Sequence, residues 1–333
     1  MSQSAVPTPD RIMQIITGGW AAAILGSAAA HGVFGALEGH GDNAEGVATK
    51  TGISVRGAQA VLDGLTGLGL VTLTGGHYQN SPEASAFLVT GTPSYFGGFA
   101  ELMAASLADW ATLPRAVKSG NPTASEQTDM ADISFWHKLV PGIAALSYPV
   151  AVMIAQRLGI ATAGAVRWLD VGGGSGVWSA VWLKANRQAR GVQLDWPIVN
   201  RIGREFVAGF GVADRFDTID GDFHAVDFGS AVYDYAIYGH IAHQESPLDN
   251  VAVFKKFRRA LKPGGTLVVN DFILNDDRTG HPFAMLFAAQ MLLGTKAGNA
   301  WCKSNYQTWL KEAGFGTVEI VPTPTPATVV LAT

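Results

Sequence analysis

The stretch from Val166 to Asp195, VRWLDVGGGSGVWSAVWLKANRQARGVQLD, limits this chain more than any other. It holds an apolar strand ending in an acid, a glycine loop, a helical segment, and a second strand ending in another acid. Gly172, Gly173, Gly174 and Gly176 come directly after that first strand. Glycine tolerates positive φ and has no side chain, so such a loop turns sharply and lets a ligand approach the backbone. Val177 to Asn186 then reads as a helix whose N-terminus offers free N–H groups. This is half of a nucleotide-binding α/β unit.

Asp195 stands 23 residues after Gly172, in the strand Val192 to Trp196. A carboxylate at that strand tip accepts both ribose hydroxyls. A pyrophosphate ligand calls for G-x-G-x-x-G, whereas the order here is Asp170-Val-Gly-Gly-Gly-Ser-Gly. Asp170 repels a pyrophosphate and attracts an amino group. The ligand that fits has a ribose, an adenine and a cationic amino-acid part, and S-adenosyl-L-methionine meets that description. The plain alternative is a glycine turn that only packs strand on helix; two acids in register weigh against it.

At these residues the chain resembles class I S-adenosylmethionine-dependent methyltransferases. More narrowly, it resembles the O-methyltransferases of the caffeic-acid and hydroxyindole type and their bacterial natural-product relatives. The likeness covers nearly the whole chain. L-D-V-G-G-G-S-G (169–176) looks like their first motif, and Asp195-Trp196-Pro197 like their ribose-binding acid. Gly221-Asp222-Phe223 resembles the segment whose acid binds the adenine amino group and whose next residue packs on the ring. Ala144 to Ser147 resembles the segment whose serine reaches the methionine carboxylate, and Leu261 to Gly265 the turn before the fifth strand. The resemblance implies a cofactor site of Ser147, Asp170, Gly172, Gly174, Gly176, Asp195, Trp196, Asp222, Phe223 and Tyr238. The product cofactor is then S-adenosyl-L-homocysteine.

The same resemblance implies the chemistry. His243, nine residues past Asp234 and at the start of a helix, takes the place of the general base. A neutral imidazole accepts a hydroxyl proton. Asp271, 28 residues after His243, takes the place of the acid that orients it. The chain departs from the family at three points. It has His243-Gln244-Glu245 for H-D-W, Gly239 for a lysine that contacts adenine, and Ala300 or Trp301 where a second acid stands near the base.

Strands are expected near 166–171, 191–196, 216–219, 232–238 and 266–271, with a terminal hairpin of 316–321 and 328–332. Alternating strands and helices give an α/β, doubly wound, mostly parallel seven-stranded Rossmann-like sheet. Ligands then lie at the carboxyl ends of the strands. Ahead of it, Glu45–Gly52 and Val55–Leu68 read as helices and Leu70–Tyr78 as a hairpin turning at Gly75-Gly76. That is a winged-helix-like arrangement. Its second helix carries only Arg56 as a base, and phosphate contacts need several. The expectation is a dimerisation unit and a homodimer, not a nucleic-acid partner. The expected domains are 1–92 for dimerisation, 93–160 as a helical connector with a loop at 120–129, and 161–333 for the cofactor.

The net charge of −4 agrees with the absence of a nucleic-acid partner, and one cysteine, Cys302, excludes a disulfide framework and points to a cytoplasmic setting. Ile12 to Leu37 has no Asp, Glu, Lys or Arg, yet it holds five glycines and is preceded closely only by Arg11. It reads as helices buried against a partner subunit rather than as a membrane span. The acceptor is expected to be a small molecule in an apolar, aromatic pocket drawn from Phe99, Met103, Trp136, His240, Phe287, Met291 and Trp301. No metal is assigned. His240 and His281 with His243 and Glu245 or Asp271 have suitable ligand chemistry, but spacing alone does not bring them together. The reading outside O-methylation is C-methylation or another reaction on the same fold; the reading outside enzymes is a winged-helix, ligand-sensing regulator.

Overall fold

The computed structural model describes residues 7–92, 95–123 and 133–333. The loop expected at 120–129 falls largely outside these described residues. The chain divides into two compact units between Ala108 and Asp109.

The first unit holds α1 (Asp10–Ile16), α2 (Gly18–Ala30), α3 (Val33–Leu37), α4 (Ala44–Thr51) and α5 (Val55–Gly67). The hairpin β1 (Val71–Thr74) and β2 (His77–Asn80) follows, then α6 (Pro82–Phe87) and α7 (Gly97–Ala105); the short α8 (Leu107–Trp110) spans the divide. Side-chain caps start three of these helices: Asn43 for α4, Ser54 for α5 and Ser81 for α6 each accept a backbone N–H. The apolar stripe Ala58, Leu62 and Leu65 of α5 enters a core with Phe34, Leu37, Val47 and Tyr78. The charge-free run from Ile12 is broken into helices, and α1 and α2 bend by 46°. Among the described residues no single helix is long and apolar enough to cross a membrane. Ile12, Met13, Ile15, Ile16 and Trp20 remain 52–70% exposed.

The second unit begins with α9 (Leu113–Ser119) and α10 (Ile133–Arg157). Then come β3 (Arg167–Val171), α11 (Val177–Ala185), β4 (Arg190–Asp195), α12 (Pro197–Gly209), β5 (Phe216–Asp220) and β6 (Tyr233–Gly239). The chain closes with α13 (Pro247–Ala260), β7 (Leu261–Asp271), α14 (Pro282–Gly294), α15 (Lys303–Glu312), β8 (Val318–Pro322) and β9 (Thr328–Ala332). The sheet order is β5-β4-β3-β6-β7-β9-β8, parallel except where β9 runs antiparallel to β7 and β8. The chain steps outward from β3 through β4 to β5, then returns to place β6 on the other side of β3. The strand order therefore reverses between β3 and β6, and ligands of such sheets bind at the carboxyl ends beside that point.

Successive side chains enter opposite cores: Ile237 and Val268 on one face, Tyr238 and Val269 on the other. Two elements differ from the sequence reading. β7 begins at Leu261 rather than near 266, because the segment expected as a turn pairs first and its register with β6 breaks between Tyr233 and Tyr235. His243 lies in a turn, not at a helix start. Ser246 accepts the N–H of Asp249 and Pro247 sets the first helical position, so α13 begins only there.

Candidate functional site

Four neighbouring strands, β4-β3-β6-β7, bring Asp195, Asp170, the Gly239-His240 turn and Asp271 to one edge of the sheet. On the β3 side the glycine loop is closely fitted. Gly172, Gly174 and Gly176 have φ of +65°, +58° and +70°, a region that suits glycine. A Cβ on Gly173 would lie 2.6 Å from Gln193 Oε1 and 2.9 Å from Asp170 Cγ, whereas one on Gly174 would meet nothing within 4 Å. The loop is thus pressed onto the sheet at Gly173 and open at Gly174.

Asp195 holds the loop from the next strand. Its Oδ2 accepts the N–H of Gly174 at 2.9 Å, and its Oδ1 that of Trp196 at 2.8 Å. Each oxygen keeps a lone pair for a further donor, as a ribose diol requires. Burial raises its pKa to about 6, against the pull of those two N–H groups. Asp170 is buried, and its Oδ2 has no hydrogen-bond partner in the protein. Burial first, and then the charge of Asp195, raise its pKa to about 8. A lone buried carboxyl beside a nucleoside-type site fits a ligand that brings a positive charge.

Asp222 and Phe223 follow β5, and the N–H of Gly221 donates to the Asp195 carbonyl at 3.1 Å. This ties the β5 turn beside the ribose-type acid. Asp222 Oδ1 accepts the His224 N–H at 2.8 Å, and Phe223 meets Tyr238 edge-on at 6.1 Å. Tyr238 is fully buried between Phe254 and Phe257. Ser147 is buried on the α10 face that carries Ala144, Ala151 and Ile154 against α11.

Past β6, His240 takes a φ of +58°, rare for a side-chain-bearing residue, and turns the chain toward His243. One carboxylate then grips His243 twice. Asp271 Oδ1 bonds His243 Nδ1 at 2.6 Å, and Oδ2 accepts the His243 N–H at 3.0 Å. Oδ1 also accepts the Phe272 N–H at 2.8 Å, and Oδ2 the Tyr306 hydroxyl at 3.1 Å. Burial alone would push Asp271 up, but the His243 charge and hydrogen bond, with His240 and the Phe272 N–H, hold it below the ordinary carboxylate range. With Nδ1 committed to Asp271, Nε2 is the nitrogen left to exchange a proton.

Aromatic walls flank this imidazole: Phe287 edge-on at 4.7 Å and Phe272 stacked at 6.2 Å. The N–H of Asn299 donates to the His243 carbonyl at 2.8 Å. A Cβ on Gly298 would come within 2.4 Å of that carbonyl oxygen, so a glycine is what lets this segment brace His243. Backbone from residues 298–299 and a phenol on α15 support the pair.

His240 is buried against Phe272, and its Nε2 meets Asn270 Nδ2 at 3.0 Å. Burial pushes it down to about 4, with Asp271 opposing, so it stays neutral. His240, His243 and Asp271 place ligating atoms within 4.8 Å of one another. Both Asp271 oxygens are already engaged in four hydrogen bonds, one of them the short bond to His243, whereas His240 Nδ1 lies 4.0 Å from Asp271 Oδ1 with no hydrogen-bond partner among the described residues. His281 lies elsewhere, accepting the Phe283 N–H at the start of α14, and Glu245 pairs with His224 at 3.2 Å.

The remaining pocket candidates scatter. Phe287 and Met291 lie on α14, with Phe287 against His243. Trp301 stacks edge-on with Trp309 at 5.2 Å. Trp136 packs, as Trp196 does, against the cluster of Val140, Val199 and Ile202. Phe99 and Met103 lie on α7, in the first unit. Five supporting residues escaped the sequence reading: Gln193, Asn200, Gly298, Asn299 and Tyr306. Gln193 alone left a signal, a polar residue inside an apolar strand; its Nε2 donates to the Gly174 carbonyl and to Asn200, both at 3.1 Å.

Residues 153–316 match the O-methyltransferase domain, and residues 13–90 the O-methyltransferase dimerisation domain. The chain is 30% identical over 328 residues to 3-hydroxy-5-methyl-1-naphthoate 3-O-methyltransferase of Streptomyces sahachiroi, covering 96% of this chain and 92% of the relative. It is 28% identical to the tetracenomycin polyketide synthesis 8-O-methyl transferase of Streptomyces glaucescens, over 97% and 96% of the two chains. Among solved structures, human N-acetylserotonin methyltransferase in complex with SAM superposes with a TM-score of 0.85 at 21% identity, covering 100% and 99% of the chains.

Proposed function

The chain belongs to the O-methyltransferase family, and from that premise we propose that it methylates a hydroxyl of a small aromatic or polyketide-like acceptor with His243 as general base. The observation that carries this reading is the His243–Asp271 pair at the carboxyl edge that also holds the glycine loop, Asp170 and Asp195.

When bound, S-adenosyl-L-methionine supplies an electrophilic methyl group on a sulfonium. Asp195 holds its ribose, Asp170 its cationic amino-acid part, Asp222 and Phe223 its adenine, with Ser147 toward the carboxylate. His243 Nε2 takes the acceptor's hydroxyl proton, while Asp271 fixes the tautomer and stabilises the imidazolium. Phe272 and Phe287 keep water from the imidazole and present aromatic surface to a flat acceptor. The two named relatives act on a naphthoate and a polyketide, which supports this acceptor class.

The protein acts as a homodimer through its first unit. The matched dimerisation domain and the uncovered apolar residues Ile12, Met13, Ile15, Ile16 and Trp20 support this.

The test is transfer of a carbon-13 methyl from S-adenosyl-L-methionine to a panel of hydroxynaphthoates and polyketide phenols, read by NMR. Label at a methoxy shift is the expected result. Label on carbon or nitrogen overturns O-methylation, and normal turnover by His243→Ala removes the base.

A further inference from the structure

We propose that Tyr306 is a positioning residue for the proton-accepting pair: its hydroxyl fixes Asp271 and, through it, sets how tightly His243 holds a proton. This rests on the reading of His243 as the base. Tyr306 lies in the first turn of α15 and is fully buried. Phenylalanine would fill the same space without a polar atom to bury, so the hydroxyl needs a reason to be there. Its bond runs to Asp271 Oδ2, whereas the imidazole bonds Oδ1. Tyr306 therefore does not compete with the His243 imidazole. It pins the plane of the carboxylate about its last bond, and without it Oδ2 keeps one donor, the His243 N–H.

The electrostatic consequence has a sign. A donor on Oδ2 draws negative charge away from Oδ1. Remove it and more charge faces the imidazole, which then holds its proton to higher pH. Burial and the charge of Asp271 raise Tyr306 well above the ordinary phenol range, so it remains a donor. The other titratable groups around the pair are Tyr238 from β6, His240 just past its end, Glu245 from the following turn and Asp249 on α13. From α14, Phe287 faces the imidazole without charge. A change at Tyr306 removes none of these groups.

The experiment follows ring nitrogen-15 histidine signals of the full-length protein through a pH titration, with the His243 signal assigned by its loss in His243→Ala. In Tyr306→Phe the midpoint of that signal moves up by about half a unit to one unit. With 3-fluorotyrosine at position 306, a stronger donor of nearly the same size, it moves down. The acid limb of the rate profile on a hydroxynaphthoate follows the same direction, and the KM for S-adenosyl-L-methionine stays unchanged. Unmoved midpoints in both variants overturn the proposal, even if Tyr306→Phe is less stable to heat, because that alone is a structural role. Should Tyr306→Phe not fold, the fluorotyrosine protein decides by itself. Shifted midpoints with full turnover in His243→Ala uphold Tyr306 and remove the base; unmoved midpoints with a dead His243→Ala do the reverse.

Discussion

Asp170 and Asp271 are two carboxylates at the ends of strands in one sheet, 1% and 0% exposed, and they are pushed in opposite directions. Asp271 accepts four hydrogen bonds from the protein and sits below the ordinary carboxylate range. Asp170 has an unpartnered oxygen and is raised to about 8. Burial costs both alike, so the partners make the difference. The Asp271 carboxylate finds its hydrogen-bond partners within the chain, whereas one oxygen of Asp170 finds none among the described residues, as suits the cationic ligand proposed for it.

The largest effects should come from the Asp271 region. Asp271→Asn keeps the shape but sets an amide N–H where backbone donors already point, and it leaves the imidazolium without a counter-ion. Turnover should fall on the order of 10²–10⁴, as for His243→Ala, with affinity for S-adenosyl-L-homocysteine unchanged by calorimetry. Lost affinity in either variant would mean that the two regions are one site. Next comes Asp195→Ala, which removes the acceptor for the ribose and for the Gly174 N–H. Binding should weaken by about 1.5–3 kcal/mol for each charged hydrogen bond lost. An unchanged dissociation constant would take the ribose off Asp195.

The same division decides what was legible in the sequence. The ligand region lies mostly within 170–195, one strand-loop-helix-strand unit, where spacing alone fixes geometry. The strands of the large sheet were legible too, most of them as short apolar runs between turn signals, though β7 starts earlier than that signal suggests. The proton region joins residues 243, 271, 298 and 306 from four separate segments. His243 and Asp271 were reached only through resemblance to a family. Tyr306 and Gly298 look in sequence like any core aromatic and any loop glycine, since what marks them is the atom they touch. The helix start expected at His243 falls instead at Pro247, because the Ser246 cap and the proline set the first turn there.

Gly298→Ala sharpens this contrast with a residue that offers no chemistry. The new Cβ would meet the His243 carbonyl oxygen at 2.4 Å, Thr295 Oγ1 at 2.6 Å and Gln244 Cα at 3.0 Å. Two of those neighbours are backbone, so the turn at His243 must shift. Such overpacking costs about 1–3 kcal/mol. The expected result is a lower thermal midpoint and lower turnover with unchanged cofactor affinity. Wild-type turnover would show that His243 does not depend on this brace.

The smallest effect separates the two carboxylates by pH. The folded protein holds protons on Asp170 up to about pH 8 and on Asp195 up to about pH 6, against an ordinary 3.8. Between those limits the folded state binds more protons than the unfolded chain, so these two groups make stability fall as pH rises from about 4 to 8. Asp271 has the opposite sign: its contribution is present above the ordinary carboxylate range and is lost in acid. A cation bound beside Asp170 favours the ionised form, so binding of S-adenosyl-L-methionine below pH 8 should release a proton. Affinity should then rise with pH by at most about tenfold per unit and level off above 8. Calorimetry at pH 6.5 and 7.5, in two buffers of different ionisation heat, counts that proton directly. Asp170→Asn should abolish the slope. A flat affinity with no proton released in the wild type would mean that the ligand's charge is met elsewhere, and that the unpartnered oxygen of Asp170 is not what draws it in.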